Sequence, residues 1–150
     1  MTDNEQRVVS ASSVINAPAE KIFELIAEPT RQPEWDGNDN LSQAAAGQRP
    51  HRVGDVFVMT TTKGEDRANR IVEFEEGRRI AWKPSVPGQP ERGHLWRWEL
   101  TPNQDGTTTV THTYDWTELT DESRLPRARW TTSERLQASV DRLATKAESE

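Results

Sequence analysis

The stretch Ala11-Ser-Ser-Val-Ile-Asn-Ala-Pro-Ala-Glu-Lys-Ile-Phe-Glu-Leu-Ile-Ala-Glu-Pro-Thr-Arg-Gln-Pro-Glu-Trp35 decides the fold. Val8 to Ile15 is rich in β-branched residues, which suit a pleated, half-buried strand. Asn16 is a candidate N-cap, and Pro18 falls in a first helical turn, where its missing N–H costs nothing. Ile22, Phe23 and Ile26 follow at helical spacing, Leu25 widens the stripe, and Pro29 stops the helix. Pro33-Glu-Trp35 reads as a second short helical turn. With almost no linker between these elements, one face of the first helix is expected to be buried.

Downstream, strands are predicted over Val53 to Thr62, Arg67 to Glu75, Arg79 to Lys83, Arg92 to Leu100 and Thr107 to Trp116. Turns fall at Lys63-Gly-Glu-Asp66, Glu76-Gly77 and Pro102-Asn-Gln-Asp-Gly106, and a proline-rich loop covers Pro84 to Pro90. Residues 36–52 read as a loop with one short strand or turn. From Thr120 the pattern turns helical, with Leu125, Leu136, Val140, Leu143 and Ala147 on one stripe. An interior proline would cost about 3 kcal/mol, so the long helix is predicted to begin near Leu125 or Pro126 and to run to about Lys146. Composition and element order alone give an α+β chain.

Several of these segments together resemble the START-like (SRPBCC) superfamily, most closely its polyketide cyclase/dehydrase-like branch. They are Ile15-Asn-Ala-Pro-Ala-Glu20, Pro33-Glu-Trp35, the Gly54-Asp-Val-Phe run, the hairpin Val72-Glu-Phe-Glu-Glu-Gly-Arg-Arg-Ile-Ala-Trp82, the Trp96-Arg-Trp98 strand and the final helix. The resemblance covers nearly the whole chain. It implies a helix-grip fold, in which a curved antiparallel sheet of seven strands or slightly fewer wraps a long C-terminal helix, with two short helices near the N-terminus. Residues 1–150 would form one domain around a ligand cavity. The motifs specify a fold and not a reaction, since the superfamily hosts carriers, cyclases, hydrolases and chaperone activators.

Bulk properties narrow the classes. With 25 acidic and 19 basic residues the net charge is −6, a field that repels phosphate backbones and anionic lipid surfaces, so nucleic acid is not an expected partner. Cysteine is absent, which removes disulfides, thiolate nucleophiles and sulfur metal sites and fits a reducing cytoplasm. No apolar run reaches the roughly 20 residues of a membrane span, and Met1-Thr-Asp-Asn-Glu is not a basic-then-apolar signal. A cytoplasmic protein with no integral membrane association is expected, as a monomer or weak homodimer. No cofactor and no metal are expected: Asp36, Asp39 and His51 lack ligand spacing, and G-x-S-x-G, phosphate-loop and H-E-x-x-H motifs are missing.

Tryptophan is the outlier, six against three Phe and one Tyr in a chain 32% hydrophobic. These rings either fill a core or line a cavity, where a rigid ring with one N–H suits a flat ligand. The hairpin around Asn103 carries the richest chemistry. Its even positions are His94, Trp96, Trp98 and Leu100, then Val110, His112, Tyr114 and Trp116; its odd positions are mostly charged residues and threonines. Alternation puts the even set inside. If Thr101 faces Thr107, Trp96 lies opposite His112 and His94 opposite Tyr114, and opposed Cβ atoms are about 5 Å apart. Each histidine is then either a half-buried residue satisfied by a neighbour or a proton-transfer group.

Two further elements point inward. Traced backward from Leu136, the final helix's stripe meets Thr132 and Arg129 and turns polar, as a lid over a cavity would; alternatively Arg129 snorkels outward while Trp130 packs. If Phe74 pairs with Ile80 and Val72 with Trp82, Arg70 shares their inner face and carries a guanidinium into the cavity, where it needs a partner; otherwise Arg70 lies at the surface. Arg124, Arg127 and Arg129 beside Arg78 and Arg79 read most simply as solvated charges. The functional expectation is binding of a hydrophobic, aromatic or polyketide-like small molecule. His112, Tyr114 and His94 are candidates for proton transfer in a cyclisation or dehydration, and Trp35 (near the entrance), Arg70, Trp82, Trp96, Trp98, Arg129 and Trp130 for contact. A non-catalytic lipid or metabolite carrier and a protein-interaction module, stress-related or chaperone-assisting, are the alternatives.

Overall fold

The computed structural model describes residues 5–150. Strand β1 (Val8–Ile15) leads into helix α1 (Ala19–Ala27), a 3-10 turn (Pro29–Arg31) and the one-turn helix α2 (Gln32–Trp35). Strands β2 (Leu41–Gln43), β3 (Val56–Thr61), β4 (Asp66–Glu75), β5 (Arg79–Ser85), β6 (Leu95–Pro102) and β7 (Thr108–Asp115) follow. A second 3-10 turn (Glu122–Arg124), α3 (Leu125–Trp130) and α4 (Ser133–Ser149) complete the fold. The seven strands form one antiparallel sheet ordered β1-β7-β6-β5-β4-β3-β2. Helix α4 packs on its β1–β7 side and against α1 and α2, the helix-grip arrangement.

The core forms where the two helical stripes meet the concave face. Ile22, Phe23, Leu25 and Ile26 of α1 are buried, as are Leu136, Val140, Leu143 and Ala147 of α4, together with Ile15, Leu100 and Val110 from the sheet. Prolines set the helix boundaries. Pro18 is itself the α1 N-cap residue in extended conformation, so Asn16 does not cap the helix as expected and no side chain does. The end of α1 is capped from downstream: buried Gln32 donates Nε2–H to the carbonyl of Ile26 at 3.0 Å, and Trp35 donates Nε1–H to that of Leu25 at 2.7 Å. These bonds satisfy carbonyls that a helix terminus leaves free and fix the Pro-x-Trp segment against α1.

The expected continuous helix from Pro126 to Lys146 is instead two. Thr132 is extended and its side chain accepts the backbone N–H of Arg135, so it N-caps α4 and ends the run begun at Leu125. This break makes α3 a separate six-residue element.

Two registers differ from expectation. The β6–β7 turn closes between Asn103 and Thr107, whose N–H···O bond is 2.8 Å, and Asp105 holds Thr107 from below. Thr101 therefore faces Thr109, which moves the pairing by two residues: Trp98 lies opposite His112 and Trp96 opposite Tyr114. An even shift leaves the faces unchanged, so Trp98, His112 and Tyr114 are buried on the inner side as alternation demands. On β4, Phe74 does pair with Ile80, but a bulge at Val72 puts Ile71, not Val72, opposite Trp82. One extra residue exchanges the two faces below it. Ile71 and Asn69 thus point inward and are buried, whereas Arg70 turns out.

Candidate functional site

Between the concave sheet and the α2, α3 and α4 elements lies a cavity of about 290 Å³. Five of the six tryptophans line it, Trp35, Trp82, Trp96, Trp98 and Trp130, with Met59 and Leu136 adding apolar surface. Exposed Lys63 and Glu65 beside the β3–β4 turn mark its mouth. Trp116, the sixth tryptophan, is buried elsewhere, with the Arg7 guanidinium 4.6 Å from its ring.

The aromatic wall is built by cross-strand pairing. Trp98 stacks on His112 with ring centroids 3.7 Å apart and planes 11° from parallel, and Trp96 lies on the same imidazole at 5.7 Å and 17°. Trp35 meets Trp98 edge-on at 5.2 Å. Trp35 is therefore a buried part of the wall, 4% exposed, and not an entrance residue as anticipated, because its N–H is committed to α1. Trp82, the cross-strand partner of Trp96, meets Phe57 edge-on at 5.3 Å and extends the wall along the sheet.

The two inner histidines are held neutral. His112 is 4% exposed and its Nδ1 lies 3.0 Å from the carbonyl of Arg97, so that nitrogen carries the proton and donates. Burial pushes its pKa down to about 4, only partly opposed by that bond. His94 is driven down to about 3, first by burial and then by the charges of Arg124, Arg92 and Arg67. Its Nε2 lies 3.4 Å from Nη2 of Arg124, an arginine that can only donate, so Nε2 accepts and Nδ1 carries the hydrogen. Tyr114 packs on Trp96 at 4.4 Å, is 1% exposed, and is not part of the cavity wall; burial pushes its phenol up.

The arginines are redistributed relative to expectation. Arg70 is an exposed residue paired with Glu91 at 2.6 Å, a consequence of the Val72 bulge. Arg129 is also exposed and donates to Glu5 at 2.6 Å. On a helix, residues 124, 127 and 130 share one face and 129 points away from it, so Arg124, Arg127 and Trp130 reach the cavity while Arg129 does not. Arg124 and Arg127, expected as solvated charges, line the site with Arg67 and Arg135. Burial lowers the pKa of both from the ordinary arginine value. Arg135 donates Nε–H to the carbonyl of Trp130 at 2.9 Å and sits 3.5 Å from that ring, and Arg127 sits 3.9 Å from it.

A curved antiparallel sheet packed on the long helix α4 and closed over an aromatic cavity by short helices defines a helix-grip fold. Residues 6–148 match the family described as "Polyketide cyclase / dehydrase and lipid transport", and the chain belongs to that family. It is 33% identical over 110 residues to the uncharacterized protein Rv0088 of Mycobacterium tuberculosis, covering 72% of this chain and 47% of that one, so the chain spans about half the length of the curated relatives it matches. A solution structure of a Thermobifida fusca protein superposes with a TM-score of 0.68 at 21% identity, over 95% of this chain and 93% of that one. DynU16, a protein in the dynemicin biosynthetic locus, superposes with a TM-score of 0.67 at 21% identity, over 96% of this chain and 48% of that one. At these identities the structures share the fold. No helix among the described residues is long and apolar enough to cross a membrane.

Proposed function

We propose that the protein binds a flat, largely apolar small molecule in this cavity and holds it without catalysing a reaction at the inner histidines. The observation that carries the reading is the placement of five of six tryptophans on one cavity of about 290 Å³, close to the lower end of ordinary ligand pockets, about 300 Å³. Trp96 presents flat surface, backed by the fully buried Trp98, and Trp82 and Trp130 complete the contact set. An interaction module with a filled interior would need no such space.

The cyclisation or dehydration reading has less support. A general base works best with a pKa near the operating pH, and burial holds His112 and His94 at about 4 and about 3. Both histidines also have one nitrogen engaged by a neighbour, and Tyr114 lies outside the wall. Binding is tested by titrating flat aromatic compounds, ionised and neutral, against tryptophan emission in the wild type and in Trp116→Phe, which removes the ring remote from the cavity. The expected result is saturable quenching or shift that survives in the variant. Absence of any response, together with native mass spectra free of co-purified ligand, would overturn the reading.

A further inference from the structure

Resting on that cavity reading, we propose that the ligand is an organic carboxylate, whose anion sits against Arg124 and Arg127 while its apolar body lies on the tryptophans. The chain is acidic overall, at −6, yet the cavity wall carries five cationic side chains against two carboxylates. Both carboxylates are already engaged. Asp36 accepts the backbone N–H groups of Asn38, Asn40 and Leu41 at 3.1, 2.6 and 2.7 Å, and Glu65 pairs with Arg67 at 3.0 Å. Arg135 is tied to the Trp130 carbonyl.

Lys63 is exposed at the mouth, so Arg124 and Arg127 are the partly buried cations left over. Among the described residues neither has a carboxylate within ion-pair distance, although the surface arginines Arg31, Arg49, Arg70, Arg79 and Arg97 all do. Among the described residues Arg124 reaches the His94 ring at 3.4 Å with the Tyr114 phenol beside it, and Arg127 lies 3.9 Å from the Trp130 ring. Guanidinium groups remain charged in proteins and prefer planar, bidentate acceptors. Two of them, partly buried, one helical turn apart and without an anion, form half of an ion pair.

The unpartnered buried atoms agree. Among the described residues the buried side-chain polar atoms lacking a partner are Nδ1 of His94, Nε1 of Trp98 and Nε of Arg124, all belonging to cavity-lining residues. With His94 accepting from Arg124 at Nε2, each of the three is a donor. Donors beside the cavity therefore outnumber their acceptors, a balance that a carboxylate redresses and a hydrocarbon or an ammonium group does not. Neutral, flat molecules would leave both arginines unpaired.

The test compares 2-naphthoate with 2-naphthamide, equal in shape and different in charge, by isothermal titration calorimetry at pH 7.5. The acid is expected to bind the wild type about tenfold or more tightly than the amide, the scale of one hydrogen bond to a charged group. Arg124→Gln with Arg127→Gln should remove that preference by lowering the affinity for the acid about tenfold, to the level of the amide. Equal affinity for the two compounds, or preference for the amide, overturns the inference and leaves the cavity reading standing. Failure of the acid to bind also overturns it, and the cavity reading falls with it only if tryptophan emission is silent to every flat compound tried. The comparison in the wild type needs no variant, so it decides even where the double substitution does not fold.

Discussion

Replacing His112 with phenylalanine should flatten the acid limb of the stability curve. In the folded chain His112 is enclosed between Trp98 and Trp96 and is held at about 4, against about 6.5 for a free imidazole. Above pH 6.5 the ring is neutral in both states and takes nothing from stability. As the pH falls below 6.5 the unfolded chain takes up a proton that the folded chain refuses, so stability drops until the folded ring titrates near pH 4. The full loss corresponds to about 3 kcal/mol, of which roughly 2 kcal/mol is reached by pH 5. His94, held at about 3 by burial and by Arg124, contributes roughly the same by pH 5. The wild type should therefore lose about 4 kcal/mol between pH 7.5 and 5, a large share of the 5–15 kcal/mol typical of a domain.

This window lies above the range in which Glu34, Glu73, Glu76 and Glu91 matter, since their arginine partners hold them below the ordinary carboxylate value and their loss begins only at lower pH. His112→Phe keeps the stacking area and removes the titration, at the cost of the bond to the Arg97 carbonyl, about 1 kcal/mol at pH 7.5. Urea unfolding followed by far-ultraviolet circular dichroism at half-unit pH steps should show the variant less stable at pH 7.5 and losing only about 2 kcal/mol by pH 5, so that the two curves converge or cross. Parallel curves, with a constant difference from pH 7.5 to 5, would refute the claim that burial keeps this imidazole neutral.

Leu143→Ala should cost about 2–5 kcal/mol, and Leu136→Ala should fall near the lower end of that range because Leu136 already borders the cavity; equal losses in urea unfolding would count against the position of the cavity. Gly93→Ala should destabilise the chain and disturb the adjacent His94, since φ is +109° and an added Cβ would lie 2.0 Å from the carbonyl oxygen of Glu118; an unchanged melting temperature would refute this packing. Gly37→Ala should loosen the α2–α4 contact, where the Cβ would meet the Ala138 backbone at 2.5 Å, and full wild-type stability would show that the contact is absent. Glu73→Gln, which weakens the pair that reaches Arg97 across the intervening strand β5, should cost under about 1 kcal/mol by the same assay, as partly exposed ion pairs do.

The parts of this fold that could be read from sequence are those governed by periodicity and by proline. The buried stripe of α1, the stripe of α4, and the inward set Trp98, His112 and Tyr114 follow from spacing alone, and the face of the β6–β7 hairpin survived an error in its turn because the error was two residues. The inner face of β4 could not be read in the same way. Nothing in Arg67-Ala-Asn-Arg-Ile-Val-Glu-Phe74 announces an extra residue at Val72, and strict alternation from Phe74 leads to Arg70. The bulge reverses that inference and delivers Asn69 and Arg67 to the cavity instead, so a single unpaired residue changed which arginine the site receives.

The α3 arginines were missed for a different physical reason. Read on one continuous helix, the stripe from Leu136 passes through Arg129, and the neighbouring arginines look solvated. Once Thr132 caps α4, the short helix before it takes its own rotation, and residues 124, 127 and 130 become its inner edge. A Thr-Thr pair three residues ahead of Arg135 is a legible capping signal, and with it Arg124, Arg127 and Trp130 fall into line at a spacing of three. The same break that removes the long lid supplies two unpaired guanidinium groups to the cavity, so the local decision of one threonine determines both the shape of the roof and its charge.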